Sequence, residues 1–372
     1  MNATSTLHDL GQSLWLDNIT RDLLDSGTLA RYIDELSVTG LTSNPTIFEK
    51  AFNESAAYDA AILRRRKDSI GTEDLFFELA IDDLTRAADL FRGVWDRTHG
   101  VDGWVSLEVS PLLAYDTAQT LREAKRLHAL ARRQNLLIKI PGTREGLPAI
   151  EEAIFAGVPV NVTLLFSHEQ YLAAADAYLR GVERRIAAGL DPDVASVASL
   201  FVSRWDVAVA SRVPAPLRNR LGIAVSKRAY AAYRALLESA RMQRICNFGG
   251  RPQRLLWAST GTKDPAAPPT LYVESLAAPL TVNTMPEQTL EAVAALADVG
   301  SVLPADGGDF AAVLAEFARA EIDSGALAAR LQEEGAAAFV KSWNGLIEGL
   351  DAKRSALQRT AAPSPASTRL SI

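Results

Sequence analysis

The sequence predicts an α/β protein whose eight parallel strands close into a barrel wrapped by helices, a (β/α)8 TIM barrel with extra helices. Short apolar runs alternate with amphipathic segments, which is typical of repeated strand–helix units and a parallel sheet. Within the runs, apolar and polar residues also alternate, so each strand has one polar face. The predicted strands lie near residues 13–17, 38–42, 104–108, 136–140, 159–163, 194–199, 254–259 and 279–283.

Helical stretches separate these strands. The clearest are residues 117–133, 144–155, 167–187 and 218–242. Ser167 and Gln170 have the spacing of a capping box, which predicts the start of the third of these helices.

The polar faces of the strands predict where a functional site lies. Side chains of a strand alternate between its two faces, so the residues at every second position share one face. In a helix-covered barrel the aliphatic face packs outward against the helices and the polar face points inward. The barrel centre is therefore predicted to collect Asp17, Glu108, Lys139, Asn161 and Thr163.

Lys139 is the most informative of these residues, because it lies within the aliphatic run 135–141 (NLLIKIP). Burial disfavours the charged form of an amine, and a free amine is the nucleophile that Schiff-base formation with a carbonyl substrate requires. The alternative is a strand-end lysine whose ammonium group reaches water along its aliphatic stem.

Composition limits the classes of function. The 372 residues include 45 acidic and 39 basic side chains, and the net charge of −6 predicts no nucleic-acid partner and no anionic membrane surface. No basic segment precedes an apolar core at the start, and no apolar run reaches membrane-spanning length. The single Cys246 fits a reducing cytoplasm. The four histidines show no ligand spacing, so we expect no metal.

Some regions exceed a minimal barrel. Residues 1–350 are predicted to form a single barrel domain with a helical insertion at about 47–96 and C-terminal helices at about 311–350. Residues 355–372 are predicted to be a disordered tail, because the segment is polar and interrupted by proline. Four arginines around residues 248–250 are compatible with an anion site or with a solvated loop. These are Arg241, Arg244, Arg251 and Arg254.

Two motifs resemble those of a known family. Residues 40–48 (GLTSNPTIF) are similar to the first transaldolase signature, and residues 137–147 (LIKIPGTREGL) are similar to the second, which carries the Schiff-base lysine. The resemblance extends from about Leu14 to Leu350 and is closest to the longer bacterial branch of the transaldolase family. It implies a class I aldolase barrel, in agreement with the strand count.

The resemblance also implies roles for the inward-facing residues. Asp17 matches the general acid/base that takes the proton from the substrate C4 hydroxyl, although an aspartate before a helix is also a common N-cap. Glu108 and Thr163 match the pair that positions a catalytic water. The family's amides that hold substrate hydroxyls and the Schiff base correspond to Asn44 and Asn161, and Ser106 belongs to the same inner shell.

Residues 199–204 (SLFVSR) resemble the family's phosphate-binding segment, in which Ser199 and Arg204 contact the phosphate. Without the resemblance, an arginine at position 204 is more often a surface ion-pair partner, here of Asp206. The chain departs from shorter transaldolases after the seventh strand, where residues 258–263 (ASTGTK) replace a run that ends in a second arginine. Lys263 is the candidate second cation, and Ser259 is carried over from the same segment.

The implied activity is transfer of a dihydroxyacetone unit from sedoheptulose 7-phosphate to glyceraldehyde 3-phosphate, giving erythrose 4-phosphate and fructose 6-phosphate. It needs no external cofactor, and we expect a monomer or homodimer. One alternative is a fructose 6-phosphate aldolase, in which tyrosine and glutamine tend to replace Phe201 and Glu108. The other is a catalytically silent barrel that serves as a scaffold, which the joint presence of Lys139, Asp17, Glu108 and Thr163 disfavours.

Overall fold

The computed structural model describes residues 2–65 and 70–361, and its sheet is a closed barrel of eight parallel strands. Each strand pairs with the next along the chain, and the last returns to the first. This arrangement confirms the predicted (β/α)8 fold. The strands are β1 Ser13–Leu16, β2 Val38–Leu41, β3 Trp104–Glu108, β4 Leu136–Pro141, β5 Val160–Leu165, β6 Ser196–Phe201, β7 Arg254–Ala258 and β8 Val282–Met285.

Seventeen α-helices are present in the described residues. They are α1 Ala3–Asp9, α2 Arg21–Asp25, α3 Thr28–Glu35, α4 Pro45–Glu54, α5 Asp59–Arg64, α6 Thr72–Leu90, α7 Arg92–Arg97, α8 Thr117–Ala131, α9 Gly146–Phe155, α10 His168–Ala187, α11 Ser203–Val209, α12 Leu221–Leu237, α13 Ala240–Asn247, α14 Leu271–Ser275, α15 Glu287–Ala294, α16 Phe310–Arg319 and α17 Ser324–Ala361. Single 3-10 turns occur at Ala56–Tyr58, Pro111–Leu113 and Ala215–Leu217.

The predicted helix at 218–242 is wrong in one respect, because the chain forms two helices there, α12 and α13. The side chain of Ser239 accepts a hydrogen bond from the Met242 amide and so caps a new helix. A serine that bonds the local backbone competes with continuation of the preceding helix. By contrast, the predicted capping box of Ser167 and Gln170 is present at the start of α10.

The C-terminal helix is longer than predicted. Residues 355–361 belong to α17, so the expectation of a disordered tail is wrong for this segment, whereas residues 362–372 lie outside the described part of the chain. The helix is held near its end because Lys353 donates to the Phe52 carbonyl at 2.9 Å and pairs with Asp59 at 2.9 Å. Leu357 packs against the core one turn later.

The helices of the insertion, α4 to α7, and the C-terminal helix pack against each other beside the barrel. Phe76 of α6 is the centre of this contact, with its ring 5.3 Å from that of Phe48 and 5.1 Å from that of Trp343. The two regions that exceed a minimal barrel therefore stabilise one another.

The barrel interior is divided into two layers. Its lower layer, the barrel floor, is a set of buried apolar side chains from alternate positions of the strands: Trp15, Trp104, Leu137, Val197, Leu256 and Val282. The next inward positions along these strands lie toward the carboxyl ends, and they are polar except for Ala258 of β7. The outward positions are aliphatic and pack beneath the helices, as Ile138 and Ile140 do.

Gly40 shows how tightly the barrel floor is packed. A Cβ atom at this position would lie 2.7 Å from the Trp15 ring and 2.7 Å from the Trp104 carbonyl oxygen. The backbone carbonyl cannot move aside as a flexible side chain would. The Trp15 indole and the Trp104 carbonyl therefore require a glycine on the inner face of β2.

We predict that Gly40→Ala lowers the free energy of unfolding by roughly 1–3 kcal/mol, as expected when a methyl group is forced into a packed core. Urea unfolding followed by tryptophan fluorescence measures this change. Gly71→Ala is the matched control, because no atom lies within 4 Å of the place its new methyl group would take and its backbone φ is negative. Equal stability of the two variants would contradict the packing argument.

Candidate active site

A cavity of about 340 Å³ opens at the carboxyl ends of the strands, where the loops of a (β/α)8 barrel carry functional residues. Its lining includes eight of the residues singled out from sequence: Asp17, Asn44, Lys139, Ser199, Phe201, Arg204, Ser259 and Lys263. The other four are Ser106, Glu108, Asn161 and Thr163, which are buried in the inner shell. The structure thus brings a set that is dispersed in sequence to one end of the barrel.

Lys139 is buried in the barrel and is only 5% exposed, so the alternative of a solvated strand-end ammonium is wrong. Its Nζ donates a hydrogen bond to the Ser43 carbonyl at 3.1 Å and lies 3.4 Å from Glu108 Oε2. Strand register explains this proximity, since Glu108, Lys139 and Asn161 are aligned side by side on β3, β4 and β5. Three adjacent strands therefore present a carboxylate, an amine and an amide at one level.

Asp17 follows β1 directly, and its Oδ1 accepts a hydrogen bond from Thr42 Oγ1 at 2.8 Å. The alternative that Asp17 is an N-cap is wrong, because Thr20 caps α2 by accepting from the Leu23 amide. Burial raises the pKa of Asp17 above its ordinary value, and the positive charge of Lys139 opposes that rise. A carboxyl group that is more basic than usual and faces an amine is suited to accept a proton.

Glu108 and Thr163 have unsatisfied polar atoms in the interior. Both carboxylate oxygens of Glu108 and the hydroxyl of Thr163 are buried, and within the described residues none has a hydrogen-bond partner. The neighbouring Lys139 amine is close enough for an ion pair but is not aligned for a hydrogen bond. Burial raises the pKa of Glu108 to about 7; the charge of Lys139 opposes this rise, and that of Asp17 adds to it. Glu108 can therefore exchange a proton near neutral pH.

Two serines hold the amide of Asn161. Asn161 Nδ2 donates to Ser106 Oγ at 3.1 Å, and Ser199 Oγ donates to Asn161 Oδ1 at 2.7 Å. Asn44 is fixed differently, since its Oδ1 accepts from the Ile47 amide and caps α4. The same side chain also hydrogen-bonds Asp17 and so opposes the rise of its pKa.

The outer part of the cavity is cationic. Arg204 and Lys263 line it together with Lys50 of α4, and none of the three forms an ion pair within the described residues. The alternative that Arg204 pairs with Asp206 is wrong. Asp206 instead accepts hydrogen bonds from the Leu221 amide at 2.9 Å and from the Tyr272 hydroxyl at 2.9 Å.

Ser259 lies between these cations and the barrel. Its hydroxyl shares a hydrogen bond of 2.8 Å with that of Ser203, and its φ of 57° falls in the left-handed region. Non-glycine residues are uncommon in this region, and they cluster at ligand-binding sites.

Sequence reasoning did not assign the other lining residues, which include Thr42, Lys50, Thr284 and Phe339. Thr42 belongs to the 40–48 motif, and the alternation of β2 was a usable signal for its inward position. Its hydroxyl lies 2.7 Å from that of Thr284. Phe339 lies on α17, far from Lys139 along the chain, and no local pattern connects the two.

A larger cavity of about 680 Å³ lies at the opposite end of the barrel and contains none of the predicted site residues. Its buried charges are already satisfied: Asp102 accepts from Trp15 Nε1 at 2.8 Å, and Arg254 donates to Ser13 Oγ at 2.6 Å. In this fold that end contributes to stability, whereas the chemistry takes place at the other. The smaller cavity is therefore the candidate active site.

The arginines near residues 248–250 do not form an anion site. Arg241 and Arg244 both pair with Glu183, whereas Arg251 pairs with Asp193. Across the described part of the chain, no group of three or more histidine, cysteine or acidic residues has the arrangement of a metal site. No described helix is both long and apolar enough to cross a membrane.

Comparison with known proteins decides the family. Residues 14–350 match the model of the transaldolase/fructose-6-phosphate aldolase family. The chain belongs to this family. The match spans β1 through most of α17, so it includes every residue that lines the cavity.

Curated relatives named transaldolase align over nearly the whole chain. A transaldolase from Thermobifida fusca is 45% identical, with 92% of this chain and 95% of the relative covered. One from Thiobacillus denitrificans is also 45% identical, with 93% and 99% covered. Transaldolase 2 from Streptomyces avermitilis is 42% identical, with 97% and 98% covered.

The raised pKa of Glu108 predicts a pH-dependent stability. The folded protein retains this proton up to about pH 7, whereas the unfolded chain releases it near the ordinary value of 4.5. Between these values the folded state binds more protons, so the free energy of unfolding falls as pH rises. Glu108→Gln removes this effect. Between pH 5 and pH 8, its free energy of unfolding should fall by roughly 2–3 kcal/mol less than that of the unmodified chain.

Urea unfolding at several pH values measures this difference. The control is Glu348→Gln, which makes the same chemical change at an exposed position of α17. If the Glu108→Gln curve ran parallel to that of the unmodified chain, Glu108 would not titrate in this range.

Proposed function

We propose that this chain is a transaldolase that moves a dihydroxyacetone unit from sedoheptulose 7-phosphate to glyceraldehyde 3-phosphate. The observation that carries the proposal is the buried amine of Lys139, which lies 3.4 Å from Glu108 and lines the same cavity as Asp17. A family member with this arrangement has the groups that Schiff-base chemistry needs. The curated relatives, all named transaldolase, support the same activity.

In the proposed reaction, Lys139 Nζ adds to the C2 carbonyl of the donor, and loss of water gives a protonated imine. Asp17 takes the proton of the C4 hydroxyl while the C3–C4 bond breaks and its electron pair moves toward the imine nitrogen. The aldose leaves as an aldehyde, and an enamine remains on Lys139. C3 of the enamine then attacks the acceptor aldehyde, Asp17 returns its proton to the new hydroxyl, and hydrolysis frees the amine.

Glu108 and Thr163 are proposed to hold the water that moves protons during imine formation and hydrolysis. Support comes from their buried oxygens, which have no hydrogen-bond partner among the described residues. Leaving such groups unsatisfied is costly, so a bridging water stabilises them as well as serving the reaction. A Glu108 pKa of about 7 lets the same carboxyl group donate and accept near neutral pH.

The amides and hydroxyls of the site are proposed to bind the dihydroxyacetone unit. Asn161 is held between Ser106 and Ser199, and Asn44 is fixed by its helix cap, so neither amide must be ordered when substrate binds. Preorganised donors of this kind bind hydroxyls without a further entropic cost. The sugar chain would extend past Phe201 toward Arg204, Ser259 and Lys263.

A second candidate is fructose 6-phosphate aldolase, because the matching family includes both activities. Phe201 favours the transferase. Its apolar ring lines the cavity and packs on Phe166 with ring centroids 5.2 Å apart. It therefore brings no proton donor to the enamine, which must survive until an aldose arrives. We further propose a cytoplasmic enzyme that acts as a monomer or homodimer.

The experiment that tests the function is borohydride trapping with fructose 6-phosphate. Intact-protein mass spectrometry should show a dihydroxyacetone adduct on the unmodified chain and none on Lys139→Met, which keeps the volume of the side chain but lacks the amine. Asp17→Asn is the matched control. It should lose transfer to erythrose 4-phosphate by at least about a hundredfold, as expected for loss of a general base, yet still form an imine with free dihydroxyacetone.

Trapping on Lys139→Met equal to that on the unmodified chain would rule out Lys139 as the nucleophile. Formation of sedoheptulose 7-phosphate from fructose 6-phosphate and erythrose 4-phosphate would distinguish the transferase from the aldolase, which releases dihydroxyacetone.

The cationic rim yields a prediction about phosphate recognition. Arg204→Gln and Lys263→Gln should each lower kcat/KM for phosphorylated donors about tenfold to a hundredfold, chiefly through KM, because a charge-assisted contact contributes roughly 1.5–3 kcal/mol. Unphosphorylated dihydroxyacetone as the donor should be affected much less. Steady-state kinetics with both donors separates the two effects.

Arg212→Gln is the control for this comparison, since Arg212 is exposed and does not line the cavity. Equal losses with phosphorylated and unphosphorylated donors would rule out a phosphate role for the residue changed. The comparison matters most for Lys263, because its charge also acts on Asp17. It lowers the pKa of that carboxyl group, against the larger effect of burial.

A further inference from the structure

The C-terminal helix α17 is docked directly on the carboxyl ends of two barrel strands. Gln332 Nε2 donates to the Gly142 carbonyl at 3.0 Å and to the Leu164 carbonyl at 2.9 Å. Gly142 follows β4, which carries Lys139, and Leu164 is near the end of β5. A side chain of the last helix thus bonds the strand termini that frame the active site.

The neighbourhood of this contact is closely packed. Leu164 adopts a φ of 58°, a conformation that an L-residue keeps only where its surroundings hold it. A Cβ atom on Gly335 would lie 3.1 Å from the Leu164 side chain and 3.4 Å from that of Phe166. The helix backbone therefore rests on the strand end with little room for displacement.

Helical periodicity then determines what reaches the cavity. Residues seven apart lie on the same face of a helix, so Phe339 shares the face of Gln332. Phe339 lines the cavity and is only 8% exposed. The centroid of its ring lies 5.9 Å from Lys139 Nζ. An aromatic ring from the C-terminal helix therefore covers the amine that carries the intermediate.

We propose that Phe339 is a positioning residue that shields the Schiff-base nitrogen and its enamine from water, and so directs the intermediate to transfer instead of release. This inference rests on the proposed function, because it concerns the fate of the intermediate on Lys139. Release requires a proton at C3 of the enamine, then addition of water at C2 and departure of the Lys139 amine, which frees dihydroxyacetone. Only the proton at C3 distinguishes release from transfer, and the ring covers the enamine against the bulk water that would supply it. The water for hydrolysis, which the transfer product needs as well, is the one held by Glu108 and Thr163.

The ring also suits the charge of the intermediate. The Lys139 amine has one carbonyl and one carboxylate near it. The iminium nitrogen formed from it keeps a positive charge but has fewer N–H groups with which to donate hydrogen bonds. An aromatic face attracts such a cation without needing a donor. Phe201 approaches from β6 and Phe339 from α17, so the two rings are supplied by separate elements of the fold.

The test measures how the intermediate partitions. Fructose 6-phosphate is supplied with erythrose 4-phosphate, and free dihydroxyacetone and sedoheptulose 7-phosphate are quantified for the unmodified chain, Phe339→Leu and Phe339→Ala. We expect the ratio of release to transfer to rise about threefold to tenfold in Phe339→Ala, in line with the loss of a desolvating aromatic contact, and to rise less in Phe339→Leu. Borohydride trapping on Lys139 should persist in both variants.

Leu346→Ala is the control for helix packing, because Leu346 is 1% exposed on the same helix but does not line the cavity. It should lower the melting temperature without changing the ratio. An unchanged ratio in Phe339→Ala, or an equal rise in Leu346→Ala, would overturn the proposal. Should Phe339→Ala fail to fold, an unchanged ratio in Phe339→Leu would overturn it equally. Absence of trapping on the unmodified chain would instead refute the proposed function.

Discussion

The pairing of a buried amine with a buried carboxylate is the constraint on which the site depends. Lys139 and Glu108 lie 3.4 Å apart inside the barrel, where either charge alone would be costly. Their adjacency follows from strand register, since parallel β3 and β4 align the two residues. Closure of the barrel therefore places each group where the other offsets part of the cost of its burial, and a change in register would leave both unpaired.

The two layers of the interior separate stability from reactivity. The barrel floor is apolar and tightly packed, with the Trp15 indole and the Trp104 carbonyl pressed on Gly40. Directly above it, the polar layer contains oxygens that the described protein atoms leave unsatisfied. A rigid lower layer lets the upper layer keep polar groups poised for substrate, because the fold does not rely on those groups for its cohesion.

Much of this architecture was predictable from sequence, because both β periodicity and the two family motifs are local signals. The alternation in residues 136–140 identified Lys139 as inward-facing, and the motif at 40–48 placed Asn44 at the same end of the barrel. Phe339 was not predictable in this way, since its position depends on how a helix near the C-terminus docks on β4 and β5. The break between α12 and α13 was missed because a serine cap competed with a continuous helical pattern. Residues 355–361 were wrongly assigned to the tail, since they contain no proline and continue α17.

The position of α17 has a consequence for biosynthesis. All eight strands have been translated by residue 285, so the barrel can close around its amine while the C-terminal part of the chain is still being made. The ring of Phe339 belongs to α17, which follows the last strand along the chain, and it covers that amine only once α17 has docked on the barrel. The order of the elements thus lets the barrel form first and places the cover over its amine last.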